Sequence, residues 1–344
     1  MDASIIVTYR CPMRCKMCNI WDNPTKVSEE FKPELLEKLP KVDTVNITGG
    51  EPFVREDIED IVKILFTKTK RIVFSTSGYY SDRIIQLARK YPQLGFRISI
   101  EGLSCKNDEL RGRPGGFDKG LKTLLELRRM GVKDIGFGIT VSNNNSSDML
   151  QLYELNRNLK MEFATASFHN SFYFHKYDNK VTNIDEVCGN FDELIQRLMN
   201  EKHPKSWFRA FFNLGLINYV KGGRRMLPCE AGTENFFIDP YGNVLPCNGM
   251  EESCWFDTMG NLHDVEDFMT LWTGARAKAV RDKVANCPKS CWMIGSASPV
   301  MKKYITKVAP WVLKNKLKVM RGGRVDTTCI PFFHVGNNDK QGLR

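Results

Sequence analysis

Apolar residues along the first half of the chain recur with two alternating periods. Ile5–Arg10, Thr44–Thr48, Arg71–Ser75, Phe96–Ile100, Asp134–Val141 and Glu162–Phe168 are short and β-rich. Between them, Lys32–Leu39, Ile58–Lys68, Asp82–Lys90, Phe117–Met130 and Asp148–Leu159 carry apolar residues at helical spacing, as Ile58, Ile61, Val62 and Leu65 do. Strands alternating with helices of this length predict a parallel α/β architecture. Six such units close most of a barrel, so the expected core is a partial (β/α)6 TIM-like barrel.

After Phe168 the rhythm stops. His169–Thr182 is aromatic and polar without a period, and Asn190–Met199 and Trp207–Val220 read as helices. From Leu227 onward cysteines, glycines and aromatics take over. Phe236–Ile238 and Val244-Leu245, joined by Asp239-Pro240-Tyr241-Gly242-Asn243, predict a β-hairpin with a Pro/Gly turn. The expected organisation is a barrel at 1–170, linker helices at 171–226, a small cysteine-rich domain at 227–295 and a tail at 296–344.

The 344 residues are 42% hydrophobic and 26% charged, which excludes disorder or a fibre. No window approaches the roughly 18 apolar residues of a membrane span. Ile5-Ile6-Val7 reads as a strand leading straight into a cysteine motif, which leaves no room for a signal peptide. The expected location is therefore cytoplasmic, where thiols stay reduced, and 11 cysteines then suggest metal or redox chemistry. Of the net charge of +10, eight units belong to lysines and arginines between Met301 and Arg324, a stretch without an acid. The rest of the chain is near neutral, so no specific nucleic-acid partner is expected. In that stretch the cations alternate with Ile305, Val308, Trp311, Leu313 and Leu317. Three readings stay open, the last of them nucleic-acid binding by this segment. One is an interfacial helix, split at Pro310, making peripheral contact with the inner membrane face through 301–324. Another is a helix packed on the barrel with its lysines solvated.

Cys11-Pro-Met-Arg-Cys15-Lys-Met-Cys18 follows the first strand directly. Three thiolates on one loop can converge on a face of an iron–sulfur cube, leaving one iron without a protein ligand. An open position is what a reactive metal site needs, whereas a structural site is closed. The alternatives are a zinc knuckle or three unrelated thiols, and no histidine lies near this loop. Gly49-Gly50-Glu51-Pro52 follows the second strand, where two glycines let backbone approach a ligand closely.

With these two motifs in this order, the region from residue 1 to about 170 strongly resembles the radical S-adenosylmethionine (radical SAM) superfamily. The resemblance implies that Cys11, Cys15 and Cys18 hold a [4Fe–4S] cluster whose fourth iron chelates the amino and carboxylate groups of SAM. An electron from the cluster then breaks the sulfonium C–S bond, giving a 5′-deoxyadenosyl radical that takes hydrogen from substrate. The residue before the third cysteine is often aromatic in the family; here it is Met17. The same resemblance places Gly49, Gly50, Glu51 and Pro52 at the SAM ammonium. Position at strand ends makes Ser77 a ribose or carboxylate ligand, with Thr140 and Ser142 as weaker candidates. Ser99 carries such a role by resemblance, Glu101 lies near the ribose, and Arg111 matches an arginine that salt-bridges the SAM carboxylate. His169 and Asn170 stand where substrate would approach.

Cys229, Cys247, Cys287 and Cys291 frame the hairpin and a later pair, with Cys254 as an alternative ligand. This resembles the SPASM/twitch auxiliary domains of radical SAM enzymes, in the shorter one-cluster form, and implies a second, auxiliary [4Fe–4S] cluster. A structural zinc held by the four thiolates is the alternative. Cys105 and Cys188 read as plain thiols, and Cys329 is undecided. The expected activity is SAM cleavage followed by hydrogen abstraction, with net oxidation of a small-molecule or lipid-linked substrate and an electron donor such as flavodoxin or ferredoxin. A peptide or protein maturase is the rival enzyme reading. An iron–sulfur electron-transfer or metal-storage protein is the non-enzyme one.

Overall fold

The computed structural model describes residues 1–251 and 255–333. Six strands, β1 (Asp2–Ile6), β2 (Thr44–Thr48), β3 (Ile72–Thr76), β4 (Gly95–Ser99), β5 (Ile135–Val141) and β6 (Glu162–Ser167), pair in parallel in sequence order. Helices α1 (Ile58–Phe66), α2 (Ser81–Lys90), α3 (Ser104–Arg111), α4 (Gly116–Arg129) and α5 (Ser146–Asn158) make the crossovers. The arc stays open, because β6 does not return to β1.

Two expectations are corrected at the first unit. The β1 ladder covers Asp2–Ile6, earlier than Ile5–Arg10, although Val7 still donates to the Thr48 carbonyl. The helix expected over Lys32–Leu39 is a six-residue 3-10 helix, Pro33–Lys38. Pro33 opens it, and Pro40 pushes the preceding residue, Leu39, into extended backbone, which ends it after six residues. The cysteine loop and short 3-10 turns thus replace the first crossover helix.

Beyond β6, helices α6 (Ile184–Asn200) and α7 (Pro204–Val220) pack together beside α5. The hairpin forms as β7 (Asn235–Ile238) and β8 (Asn243–Leu245), with β9 (Gly260–Asn261) beside it. β7 pairs in parallel with β1, so one nine-stranded sheet runs from the barrel into the cysteine-rich segment. Helices α8 (Phe268–Trp272), α9 (Ala275–Ala285), α10 (Ile294–Lys303) and α11 (Ile305–Met320) follow.

Alternation along β1 feeds two apolar clusters. Ala3, Ile5 and Val7 face the main core, where Phe53, Phe74 and Phe96 pack ring on ring. Ile6 and Tyr9 face a smaller cluster with Ile20, Tyr173, Phe237 and Leu245, and Cys18 and Cys247 both border it. The tail helix is a structural element. α11 packs on α6 and α7 through Val308 and Val312, and Trp311 stacks edge-on against Phe211 at 5.2 Å. Lys316 donates to the Met199 and Glu201 carbonyls at the C-terminus of α6, where a cation suits the helix dipole. Among the described residues no helix is long and apolar enough to cross a membrane.

Candidate active site

The cysteine loop is stapled at both ends. Arg14 and Lys16 donate from their amides to the Arg111 and Leu110 carbonyls at 2.9 Å, tying the loop to the end of α3. Gly112 caps that helix at φ +60°, and a Cβ there would stand 2.4 Å from the Arg14 carbonyl oxygen. Only glycine allows this approach. On the other side, buried Glu30 accepts from Thr8, Thr25 and Arg10, fixing the strand that enters the loop. Nothing in the sequence pattern had marked Glu30.

Cys11, Cys15 and Cys18 share Arg111 as an electrostatic neighbour. Burial raises all three thiols, Cys18 up to about 12. A metal that binds here must therefore displace protons, as thiolate ligation requires. Arg111 donates to Glu101 at 3.2 Å, while its buried Nε has no partner among the described residues. Glu101, 3% exposed, accepts from the Thr140 amide at 2.7 Å through its other oxygen. Burial lifts its carboxyl above the usual range, with Arg111 pulling it back.

The Gly-Gly-Glu-Pro turn divides its work. The amides of Gly50 and Glu51 are spent on the Thr8 and Arg10 carbonyls. A cation arriving at this turn would meet its carbonyls, one of which, on Gly49, accepts from the Tyr173 hydroxyl at 3.0 Å. Glu51 is fully buried and accepts from Phe53, Thr76 and both the amide and hydroxyl of Ser77. Glu51 and Ser77 thus bind each other, and Pro52 opens a buried 3-10 turn. Ser99 closes β4 half-buried, two residues before Glu101. Ser142 is fully buried and bonds Asn145.

At the end of β6, the His169 Nδ1 proton goes to the Ser167 carbonyl at 3.2 Å and its ring meets the edge of Phe174. Its Nε2 is buried without a partner among the described residues. Burial lowers its pKa to about 4, so the ring is neutral and Nε2 is an acceptor. Tyr173, from the same loop, reaches Gly49 across 124 residues of chain, a contact that no local pattern signals.

In the second half, Cys229, Cys247, Cys287 and Cys291 line one small cavity together with Trp255 and Met293. The thiols surround a space instead of closing on a point. Among the described residues no group of three His, Cys, Asp or Glu is disposed to hold a single metal ion. The Trp255 indole donates to Cys287 Sγ at 3.2 Å. Arg225 lies over Trp292 and donates to the Cys291 carbonyl. Burial pushes the Cys291 thiol up to about 11. Cys188 is a core thiol, Cys105 and Cys329 are exposed, and Cys254 lies outside the described residues.

Two family models match this chain: the Radical SAM superfamily over residues 5–155 and the SPASM iron-sulfur cluster-binding domain over 229–293. The chain carries a radical SAM domain followed by a SPASM domain. SAM and iron–sulfur clusters are the cofactors of this family. Its sequence is 24% identical over 309 residues to the sporulation killing factor maturation protein SkfB of Bacillus subtilis, spanning 83% of this chain and 68% of that one. It is 28% identical over 158 residues to Fe-coproporphyrin III synthase of Methanosarcina barkeri, where the match spans 43% of this chain and only 39% of the relative. The fold is that of Streptococcus suis SuiB bound to S-adenosylmethionine, with TM-score 0.61, 18% identity, and coverage of 85% of this chain and 72% of that one.

Proposed function

We propose that Cys11, Cys15 and Cys18 hold the [4Fe–4S] cluster that engages SAM, and that Cys229, Cys247, Cys287 and Cys291 hold a closed auxiliary cluster. The bound cofactors supply a hydrogen-abstracting radical; the protein supplies position. The unpaired Arg111 Nε is a charge-assisted donor for the SAM carboxylate, held in place by Glu101. The Gly49 carbonyl is an acceptor for the ammonium, Ser99 and Glu101 border the ribose, and Glu51, Pro52, Gly50 and Ser77 fix the turn that presents it. His169 Nε2 accepts a hydrogen bond from substrate.

The observation that carries a net oxidation is the apolar cluster between the two sites. Cys18 borders it on one side and Cys247 on the other, with Tyr173, Phe237 and Leu245 between. A closed four-thiolate cluster suits electron transfer, and both sites border this one apolar wall. The relatives include both a maturation protein and a porphyrin synthase; SkfB, named for maturation of a killing factor, matches over 83% of this chain against 43% for the synthase, which supports a peptide over a small-molecule or lipid-linked substrate. The reading is therefore oxidation of a peptide side chain or backbone carbon, with a flavodoxin or ferredoxin as the electron donor.

Anaerobically reconstituted protein with dithionite and SAM should yield 5′-deoxyadenosine, and with the right peptide a product lacking a hydrogen pair. Cys11→Ala, Cys15→Ala or Cys18→Ala should each abolish the 5′-deoxyadenosine. The triple variant should keep about four irons and four sulfides at the auxiliary cysteines. Zinc without sulfide there would make that site structural. Cleavage by the triple variant would remove the assignment altogether.

A second reading concerns α11. Its outer face exposes Leu313, Leu317 and Met320 at helical spacing, flanked on one side by Lys314, Lys318 and Arg321. That pattern supports reversible contact with an anionic membrane surface. Trp311, turned inward onto Phe211, takes no part.

A further inference from the structure

A cleft of about 550 Å³ adjoins the cavity of the auxiliary cysteines and shares Arg225, Cys229 and Cys287 with it. Two of the four candidate ligands, Cys229 and Cys287, line it, together with Arg224, Arg225, Arg281 and Lys303. The cations are not equally neutralised. Lys303 pairs with Glu230 and Glu234 at 3.2 and 3.0 Å. None of the three arginines reaches a carboxylate among the described residues. Arg281 lies over Trp272 and donates to the Gly232 and Trp272 carbonyls. Arg225 is fixed by the Leu227, Cys291 and Ser296 carbonyls. Arg224 is exposed and lies over Phe332 at 4.9 Å. Glu230 and Asp282 line the cleft as well, but with Lys289 the cations outnumber the acids five to two, and the resulting positive field attracts an acidic surface.

We propose that this cleft is the docking face for an acidic one-electron carrier protein that exchanges electrons with the auxiliary cluster. The proposal rests on the auxiliary-cluster reading above. A cluster held by the four cysteines would supply a one-electron store for substrate oxidation, and an oxidised carrier docked here would take that electron, the carrier being reduced by one electron with no bond made or broken. Because Cys229 and Cys287 line the cleft, a carrier seated there meets the cluster edge without crossing the barrel.

The test uses the reconstituted full-length enzyme and purified oxidised flavodoxin as the probe. Binding, followed by flavin fluorescence, should weaken steeply with added salt. Arg224→Glu should weaken it roughly tenfold and Arg224→Lys should restore it, because the charge and not the stacking is read. Carbodiimide cross-links from flavodoxin should fall on Lys303 or on Lys289, both of which line the cleft. Binding that ignores salt and Arg224→Glu overturns the proposal. So do cross-links confined to the α11 lysines, or cross-links joining the cleft to the chain's own residues 334–344. Iron and sulfide analysis of the same preparation is scored separately, since an auxiliary site without them removes the underlying reading whatever flavodoxin does.

Discussion

Arg111 gives one guanidinium nitrogen to Glu101 at 3.2 Å and keeps its buried Nε free of any partner among the described residues. A buried donor left unmade costs about 1–3 kcal/mol, so the arrangement makes sense when an anion completes it. Arg111→Gln should weaken SAM binding by roughly ten- to a hundredfold, from the loss of a charge-assisted bond worth about 1.5–3 kcal/mol. Anaerobic equilibrium binding measures this. Unchanged affinity would show that Arg111 serves Glu101 alone.

Gly112 carries the closest approach between α3 and the cysteine loop. Gly112→Ala places a methyl group against the Arg14 carbonyl in a left-handed backbone. Strain of this kind costs about 1–3 kcal/mol. The variant should unfold at lower denaturant and lose iron from the first site sooner than from the auxiliary one. Gly131→Ala, also left-handed but with nothing near its Cβ, should lose stability and keep both sites alike.

His169 makes stability depend on pH. Its folded pKa, about 4, lies below the ordinary 6.5 because burial disfavours the charged ring. Between these values the unfolded chain binds a proton that the folded chain refuses, so stability falls as pH drops from about 6.5 to about 4. The loss should total on the order of 2–3 kcal/mol. His169→Gln should flatten that part of the profile in denaturant titrations, and an unaltered slope would place the titrating group elsewhere.

On α11, the outward stripe predicts pelleting with anionic liposomes at low salt, release at high salt, and poor binding to neutral liposomes. Leu313→Glu with Leu317→Glu should abolish pelleting and leave thermal stability within about 0.5 kcal/mol, since both side chains are exposed. Indifference of the unaltered protein to anionic liposomes would leave α11 as packing alone.

The period of the apolar residues determined the β/α units of the barrel, and the spacing of Cys11, Cys15 and Cys18 determined a local thiol cluster. Both are short-range properties: a strand or helix buries a face set by its own repeat, and eight residues on a loop reach one another without help. The Lys32–Leu39 helix failed because proline chemistry there outweighed apolar spacing.

Tertiary structure decided the rest. The pattern marked Phe236–Leu245 as a hairpin but did not say that β7 would pair with β1, more than two hundred residues away, and put Cys247 against the same apolar wall as Cys18. It marked Glu51 and Ser77 as polar groups at strand ends, and only packing turned them onto each other. It gave no sign of Tyr173 on Gly49 or of Trp255 on Cys287. Periodicity records that a face is buried, whereas the partner it meets is chosen by sheet edge, register and the closure of distant loops, none of which is written in the spacing of a single chain.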